Sequence, residues 1–289
     1  MSRFFILGDE WVYLKIYLGK ESFDRILMDI VDPLADALLS SQLISEFFFI
    51  RYEDRVGPHL RVRFHISGPA SLAPVLSAIN QCFKPLIEIR RIKNLEFDTY
   101  VREIERYGER NYPLTESVFC VDSACQLKLF KALRNYNDKN LRWRIGLALV
   151  DDLMSIFKME GEQYVAFVEK YRDAYRSEFG CNDKQIRQIH NDHYRNNQAE
   201  VENALLRRFP EDIAAILNAR KEKIGIIYDK FSRESNDNFE SYLGSIIHMT
   251  ANRFFEDAAR VCEMALYEFL FKYKRSEGKR KSVNEECRN

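Results

Sequence analysis

An α+β fold is predicted, with an antiparallel-containing sheet and helices in the N-terminal half and a predominantly helical C-terminal half. Three observations predict it. Short aromatic and β-branched runs alternate with helical patterns over roughly the first hundred residues. The run GPHLRVRFHI (57–66) alternates strictly, with Leu60, Val62, Phe64 and Ile66 on one side and His59, Arg61, Arg63 and His65 on the other, as side chains along a strand do. From about Leu127 onward apolar residues recur at spacings of three and four, the helical period.

The elements follow in order. EWVYLKIYLG (10–19) is rich in strand-forming residues and ends at Gly19. Residues 20–40 carry Phe23, Ile26, Leu27, Ile30, Leu34, Ala37 and Leu38 at helical spacing in spite of Pro33. FFFIRY (47–52) reads as a strand, EDRVGP supplies turn residues, and the pair 47–52 and 57–66 is expected as an antiparallel hairpin. Residues 70–83 read as helix and IEIRRI (87–92) as a further strand. Asp98 or Thr99 is a candidate cap for a helix running through Tyr107 and stopping at Gly108. The proline-free segment 127–176, then 211–231 and 237–274, read as helices, with Gly180 and Pro210 as punctuation. No internal repeat is visible. One domain is expected over 1–273, followed by a charged, disordered tail, 274–289.

Composition narrows the function classes. The chain has 289 residues, 46% hydrophobic and 30% charged, enough for a substantial core. Lys plus Arg equals Asp plus Glu at 44 each, which argues against direct nucleic-acid binding, since that leaves a basic footprint. Any role for Arg61 and Arg63 therefore rests on local arrangement. The six cysteines form no CxxC pair, and no apolar run approaches the roughly 18 residues of a membrane span. A soluble, reduced, cytoplasmic protein is expected.

Three segments carry polar groups that packing alone does not explain. Arg61 and Arg63, two apart on a strand, are suited to hold a carboxylate or phosphate through bidentate hydrogen bonds. The alternative is a wet sheet face with solvated charges. In FDTYVREIERYGER (97–110), Glu103, Arg106 and Tyr107 share a helix face, so Glu103 is placed to orient an arginine or act as a base; the alternative is a surface ion pair. In ESYLGSIIHMTANRFFEDA (240–258), Ser241, Ser245, His248 and Asn252 form one polar line bordered by apolar residues, so His248 is a candidate proton shuttle. The alternative is a core histidine satisfied by Ser245 or Asn252. His190 and His193 lack a third ligand at HExxH-type spacing and read as surface residues. Walker, GxGxxG and GxSxG motifs are absent, and neither metal nor organic cofactor is expected.

The series EWVYLKIY, FFFIRYEDRVGPHLRVRFH, YVREIERYG, ESVFCVDS and SIIHMTANRFF resembles the C-terminal, glutamate-elimination domain of class I lanthipeptide dehydratases, which also occurs free-standing in the thiopeptide-type bacteriocin biosynthesis family. The motifs stand in the family's order over about residues 8 to 265. The resemblance implies a lyase that removes glutamate from glutamylated Ser and Thr of a precursor peptide, leaving dehydroalanine or dehydrobutyrine. It carries the family's arginines onto Arg61 and Arg63, the glutamate and arginine of REIERYG onto Glu103 and Arg106, and the histidine of HMxxNR onto His248. The chain departs from the family at Glu109, where a second glycine is common. A leader-bearing precursor peptide and a separate glutamyl-tRNA-dependent glutamylating subunit are the implied partners, and a homodimer is compatible. The competing expectations are a [4+2] cycloaddition of two dehydroalanines on the same scaffold, or a non-catalytic subunit that binds the precursor.

Overall fold

A computed structural model describes residues 2–181, 183–230, 239–256 and 258–286. Residues 231, 237, 238, 257 and 287–289 of the expected elements lie outside the described residues. The central sheet has four antiparallel strands: β2 (Trp11–Tyr17), β3 (Ile44–Glu53), β4 (Pro58–Ile66) and β5 (Asn94–Phe97), in the order β3-β4-β2-β5. A two-residue strand β1 (Phe4–Phe5) pairs with β6 (Tyr100–Val101) as a separate ribbon. The predicted hairpin is present as β3 and β4, closed by a turn in which Asp54 accepts hydrogen bonds from the Val56 and Gly57 amides.

Alternation on β2 and β4 gives the sheet two different faces. Val12, Leu14, Ile16, Leu60, Val62 and Phe64 are wholly buried in the core. The opposite face carries Trp11, Tyr13, Lys15 and Tyr17 opposite His65, Arg63, Arg61 and His59. The first helical segment comprises α1 (Phe23–Ile26), a π-turn at Leu27–Val31 and α2 (Asp32–Ser40). The wide turn lies immediately ahead of Pro33, whose ring would crowd the carbonyl four residues back in a regular α-helix.

Four expectations are corrected. IEIRRI is not a strand: α3 (Leu72–Glu88) continues into it, because Val75, Ile79 and Phe83 bury one helical stripe. The chain then reverses at left-handed Arg90 (φ 56°) to deliver β5. The helix expected from Asp98 or Thr99 is reduced to one turn, α4 (Ile104–Tyr107), because pairing of β6 with β1 claims Tyr100 and Val101. Gly108, at φ 77°, ends that turn as expected. Helical structure resumes at Tyr112 rather than Leu127, in α5 (Tyr112–Leu133). The expected helix 237–274 is two, α11 (Phe239–Phe254) and α12 (Ala259–Glu286), separated by a turn with Ala258 at φ 48°.

Between α5 and α11 lie α6 (Leu141–Ile156), α7 (Gly161–Glu178), α8 (Lys184–Asn196), α9 (Gln198–Leu205) and α10 (Glu211–Tyr228). The helix α12 also takes in the charged run from Lys274 for which composition predicts disorder. There Lys274 lies over the Tyr164 ring with its Nζ 3.8 Å from Asp151, so the run's first residue is anchored.

The two halves meet along the outer edge of β3. Asn252 of α11 accepts from the Arg51 amide at 3.1 Å and donates to the Arg51 carbonyl at 2.9 Å, as a neighbouring strand would. Arg253 donates to the Phe49 carbonyl at 2.8 Å, and the Phe49 amide donates to Ser123 of α5 at 3.2 Å. These contacts satisfy an edge that would otherwise present free backbone groups. They also set α11, with His248, against the arginine-bearing face.

Candidate active site

A cavity of about 160 Å³ lies between that face, the β6–α4 segment and α11. Arg61, Arg63, Glu103, Arg106 and His248 all line it, so residues up to 187 positions apart in the chain share one space.

Arg63 is its floor. The register sets Arg63 between Tyr13 on β2 and Phe48 on β3. Its guanidinium carbon lies 4.3 Å from the Tyr13 ring centre, 5.0 Å from Phe48 and 4.6 Å from Tyr100. Only 7% of the residue is exposed, and its Nε and Nη1 have no hydrogen-bond partner within the protein. Ring faces attract the cation but supply no acceptor. A guanidinium held this way is short of the carboxylate or phosphate oxygens that normally satisfy a buried arginine.

Arg61 is aimed by two neighbours. Its guanidinium stacks 3.4 Å from the centre of the Tyr52 ring, and its Nε donates to His59 Nε2 at 3.2 Å. His59 is fully buried and its Nδ1 lies 3.1 Å from the Gly57 carbonyl. Burial, reinforced by the nearby Arg61 charge, holds the His59 pKa below its ordinary value. A neutral ring with its hydrogen on Nδ1 satisfies both contacts. His65 sits at the other end of β4 against Ser45 Oγ at 2.6 Å and Glu10 at 3.5 Å, outside the cavity lining. The row of up to four cationic groups on β4 thus resolves into two functional candidates, Arg61 and Arg63.

Glu103 and Arg106 form the predicted pair, 3.1 Å apart, and the Arg106 Nε also donates to Ser245 Oγ of α11 at 3.1 Å. Arg106 therefore fastens α4 to the polar line of α11. Tyr107, beside it, is buried, and burial raises its hydroxyl pKa. Burial does the same for Tyr13 against the opposing pull of Arg63 and Arg61, so both phenols remain neutral near pH 7. His248 is half-buried and finds neither Ser245 nor Asn252 as its partner. Its Nδ1 lies 2.9 Å from Oε2 of Glu263 on α12.

Two motif arginines have structural roles. Arg102 of YVREIERYG binds Glu116 of ESVFCVDS through two contacts of 2.8 and 2.5 Å, and Tyr100 donates to the same carboxylate at 2.7 Å. Arg253 of HMxxNR is wholly buried, with Asp122 at 3.3 Å and Arg220 on that aspartate's other oxygen at 2.8 Å. Sequence reasoning placed His59 on the arginine face without giving it a role, and missed Tyr13, Tyr52, Tyr100 and Glu263. Alternation along WVYLKIY and FFFIRY puts Tyr13 and Tyr52 on the arginine face, a signal available without coordinates; Glu263 has none. Among the described residues, no three His, Cys, Asp or Glu side chains converge as a metal site, and no helix is long and apolar enough to cross a membrane.

The fold and this cavity define an α+β protein with a small pocket that Arg61, Arg63 and Arg106 line. The family model described as lantibiotic biosynthesis dehydratase C-term matches residues 11–274, and the chain belongs to that family. It is 25% identical over 257 residues to the subtilin biosynthesis protein SpaB of Bacillus subtilis, covering 86% of this chain and 24% of SpaB. Its fold is similar to the tRNA-dependent lantibiotic dehydratase MibB from Microbispora sp. 107891, with a TM-score of 0.74, 22% identity and coverage of 95% of this chain and 29% of MibB. It is also similar in fold to the pyridine synthase TbtD from thiomuracin biosynthesis, with a TM-score of 0.64, 14% identity and coverage of 93% and 98%. The chain thus spans about a quarter of the length of SpaB and 29% of that of MibB.

Proposed function

We propose that this chain is the glutamate-elimination component of a lanthipeptide-type dehydratase system, converting glutamylated Ser and Thr of a precursor peptide to dehydroalanine and dehydrobutyrine. The observation that carries this reading is Arg63, buried among three aromatic rings with guanidinium donors unpartnered, on the same cavity as His248. Family membership supports it, and the substrate class comes from the resemblance set out above.

The reaction needs three things, and the cavity offers a group for each. His248 takes the α-proton, breaking the Cα–H bond. The electron pair passes through an enolate-like intermediate whose developing charge is met by preorganised guanidinium donors, an arrangement worth about 10²–10³ in rate per donor. The Cα=Cβ bond then forms as the Cβ–O bond breaks, and the pair leaves on the glutamate carboxylate, which Arg61 and Arg63 receive. Arg106, steadied by Glu103 and Ser245, adds positive charge at the α11 side. A cavity of about 160 Å³ is smaller than the pockets of drug-sized ligands, which suits one modified residue rather than a folded peptide. The precursor peptide and a glutamyl-tRNA-dependent glutamylating subunit are the partners this chemistry requires.

A second reading, the [4+2] cycloaddition of two dehydroalanines, is favoured by the fold likeness that takes in 98% of TbtD. Mass spectrometry of a Ser-glutamylated precursor peptide incubated with the protein separates the readings. Free glutamate and dehydroalanine are expected. A glutamylated peptide that survives, while a dehydroalanine-containing peptide gains a ring, overturns elimination in favour of cycloaddition. Binding of both without change leaves the chain a precursor-binding subunit.

A further inference from the structure

Glu263 is a carboxylate whose burial calls for a reason. It is 1% exposed, lies 15 residues beyond His248 on the next helix, and places Oε2 2.9 Å from His248 Nδ1. It borders a second groove, about 310 Å³, that shares His248 and Arg106 with the cavity. His248 thus stands in the wall between the two. The ionisable groups around the carboxylate are the phenols of Tyr171, Tyr175 and Tyr267 and, across the groove, the cations Arg106 and Arg260 and the carboxylate of Glu178. Burial, then neighbouring carboxylates including Glu263, raises all three phenols, Tyr171 to about 12, so none competes as an anion.

We infer that Glu263 is a positioning residue that sets the tautomer and aim of His248. An ionised carboxylate only accepts hydrogen bonds, so the hydrogen of a neutral imidazole must sit on Nδ1, leaving the lone pair on Nε2. Once that lone pair has taken a proton, the same carboxylate stabilises the imidazolium, the arrangement by which a buried acid serves a general-base histidine. The use of Nε2 as a base rests on the elimination reading; the tautomer does not.

Ring ¹⁵N spectra of His248 in the labelled protein, assigned by loss of its signals in His248→Ala, test the tautomer directly. The neutral ring is expected with its hydrogen on Nδ1; a ring with the hydrogen on Nε2 overturns the inference, whatever the activity. In Glu263→Gln the amide is able to donate to Nδ1 and move the ring hydrogen to Nε2. The kcat for glutamate release should then fall by about 10²–10⁴-fold, with KM changing by no more than about twofold. A wild-type kcat in that variant, or a loss confined to KM, also overturns it. Should Glu263→Gln fail to fold, the wild-type spectrum decides alone. A wild-type protein that releases no glutamate sinks the elimination reading, and the spectrum still decides the role of Glu263.

Discussion

The Nε of Arg61 donates to Nε2 of His59 at 3.2 Å, so a buried neutral histidine is the acceptor that aims a cavity arginine. Protonating His59 removes that acceptor and places a second charge against Arg61. Because burial lowers the folded-state pKa of His59, the unfolded chain binds protons more readily as the pH falls. The stability tied to a neutral His59 is therefore complete above the unfolded value of about 6.5 and is lost as the pH drops from there through the folded pKa. In His59→Gln, melting temperatures should fall less steeply between pH 7 and pH 5 than in the wild type. Parallel curves would remove His59 as a contributor.

Arg63 is the residue whose activity and stability effects should separate. Arg63→Met removes a buried guanidinium with unpartnered donors and keeps an apolar stem among Tyr13, Phe48 and Tyr100. Such replacements of poorly compensated buried charge are neutral or stabilising. Glutamate release should fall by about 10²–10³-fold while the melting temperature holds or rises. A marked drop in melting temperature would show that the cation is structural.

His248 and Glu103 are competing candidates for proton transfer, and single substitutions divide the roles. His248→Ala should lower kcat by about 10²–10⁴-fold without changing peptide affinity. Glu103, on the surface and paired with Arg106 at 3.1 Å, should show a smaller effect as Glu103→Gln, about tenfold or less. The reverse order of effects in single-turnover kinetics would reassign the base.

Glu116 sits outside the cavity lining but holds Arg102 by two contacts and Tyr100 by a third, all buried. Glu116→Ala leaves the Arg102 charge uncompensated and should cost about 3–5 kcal/mol, measurable by urea unfolding. Tyr100 is one of the rings around Arg63, so the variant should also lose elimination activity in proportion to its loss of folded protein. A loss of less than about 1 kcal/mol would mean that solvent reaches the pair.

The five cavity residues were legible from local periodicity and motif alone. Two-residue alternation along β4 puts Arg61 and Arg63 on one face, and the helical line of α11 puts His248 beside Ser245 and Asn252. Both are properties of a few consecutive residues, and they survive in the structure because strand and helix geometry are local. The expected helix at 98–107 and strand at 87–92 failed for the complementary reason: pairing with β1 and burial of Phe83 come from distant parts of the chain.

By itself the sequence determined the α+β class, the β3–β4 hairpin, the arginine face and the candidate set. Only the tertiary structure decided which motif residues touch the cavity and which hold the fold. It sent Arg102 to Glu116, Arg253 to Asp122 and Asn252 to the edge of β3, left Arg63 caged by aromatic rings, and brought Glu263 to His248. The physical reason is that the charge of a side chain is written in its own residue, whereas its compensation depends on which atoms packing brings within about 3 Å.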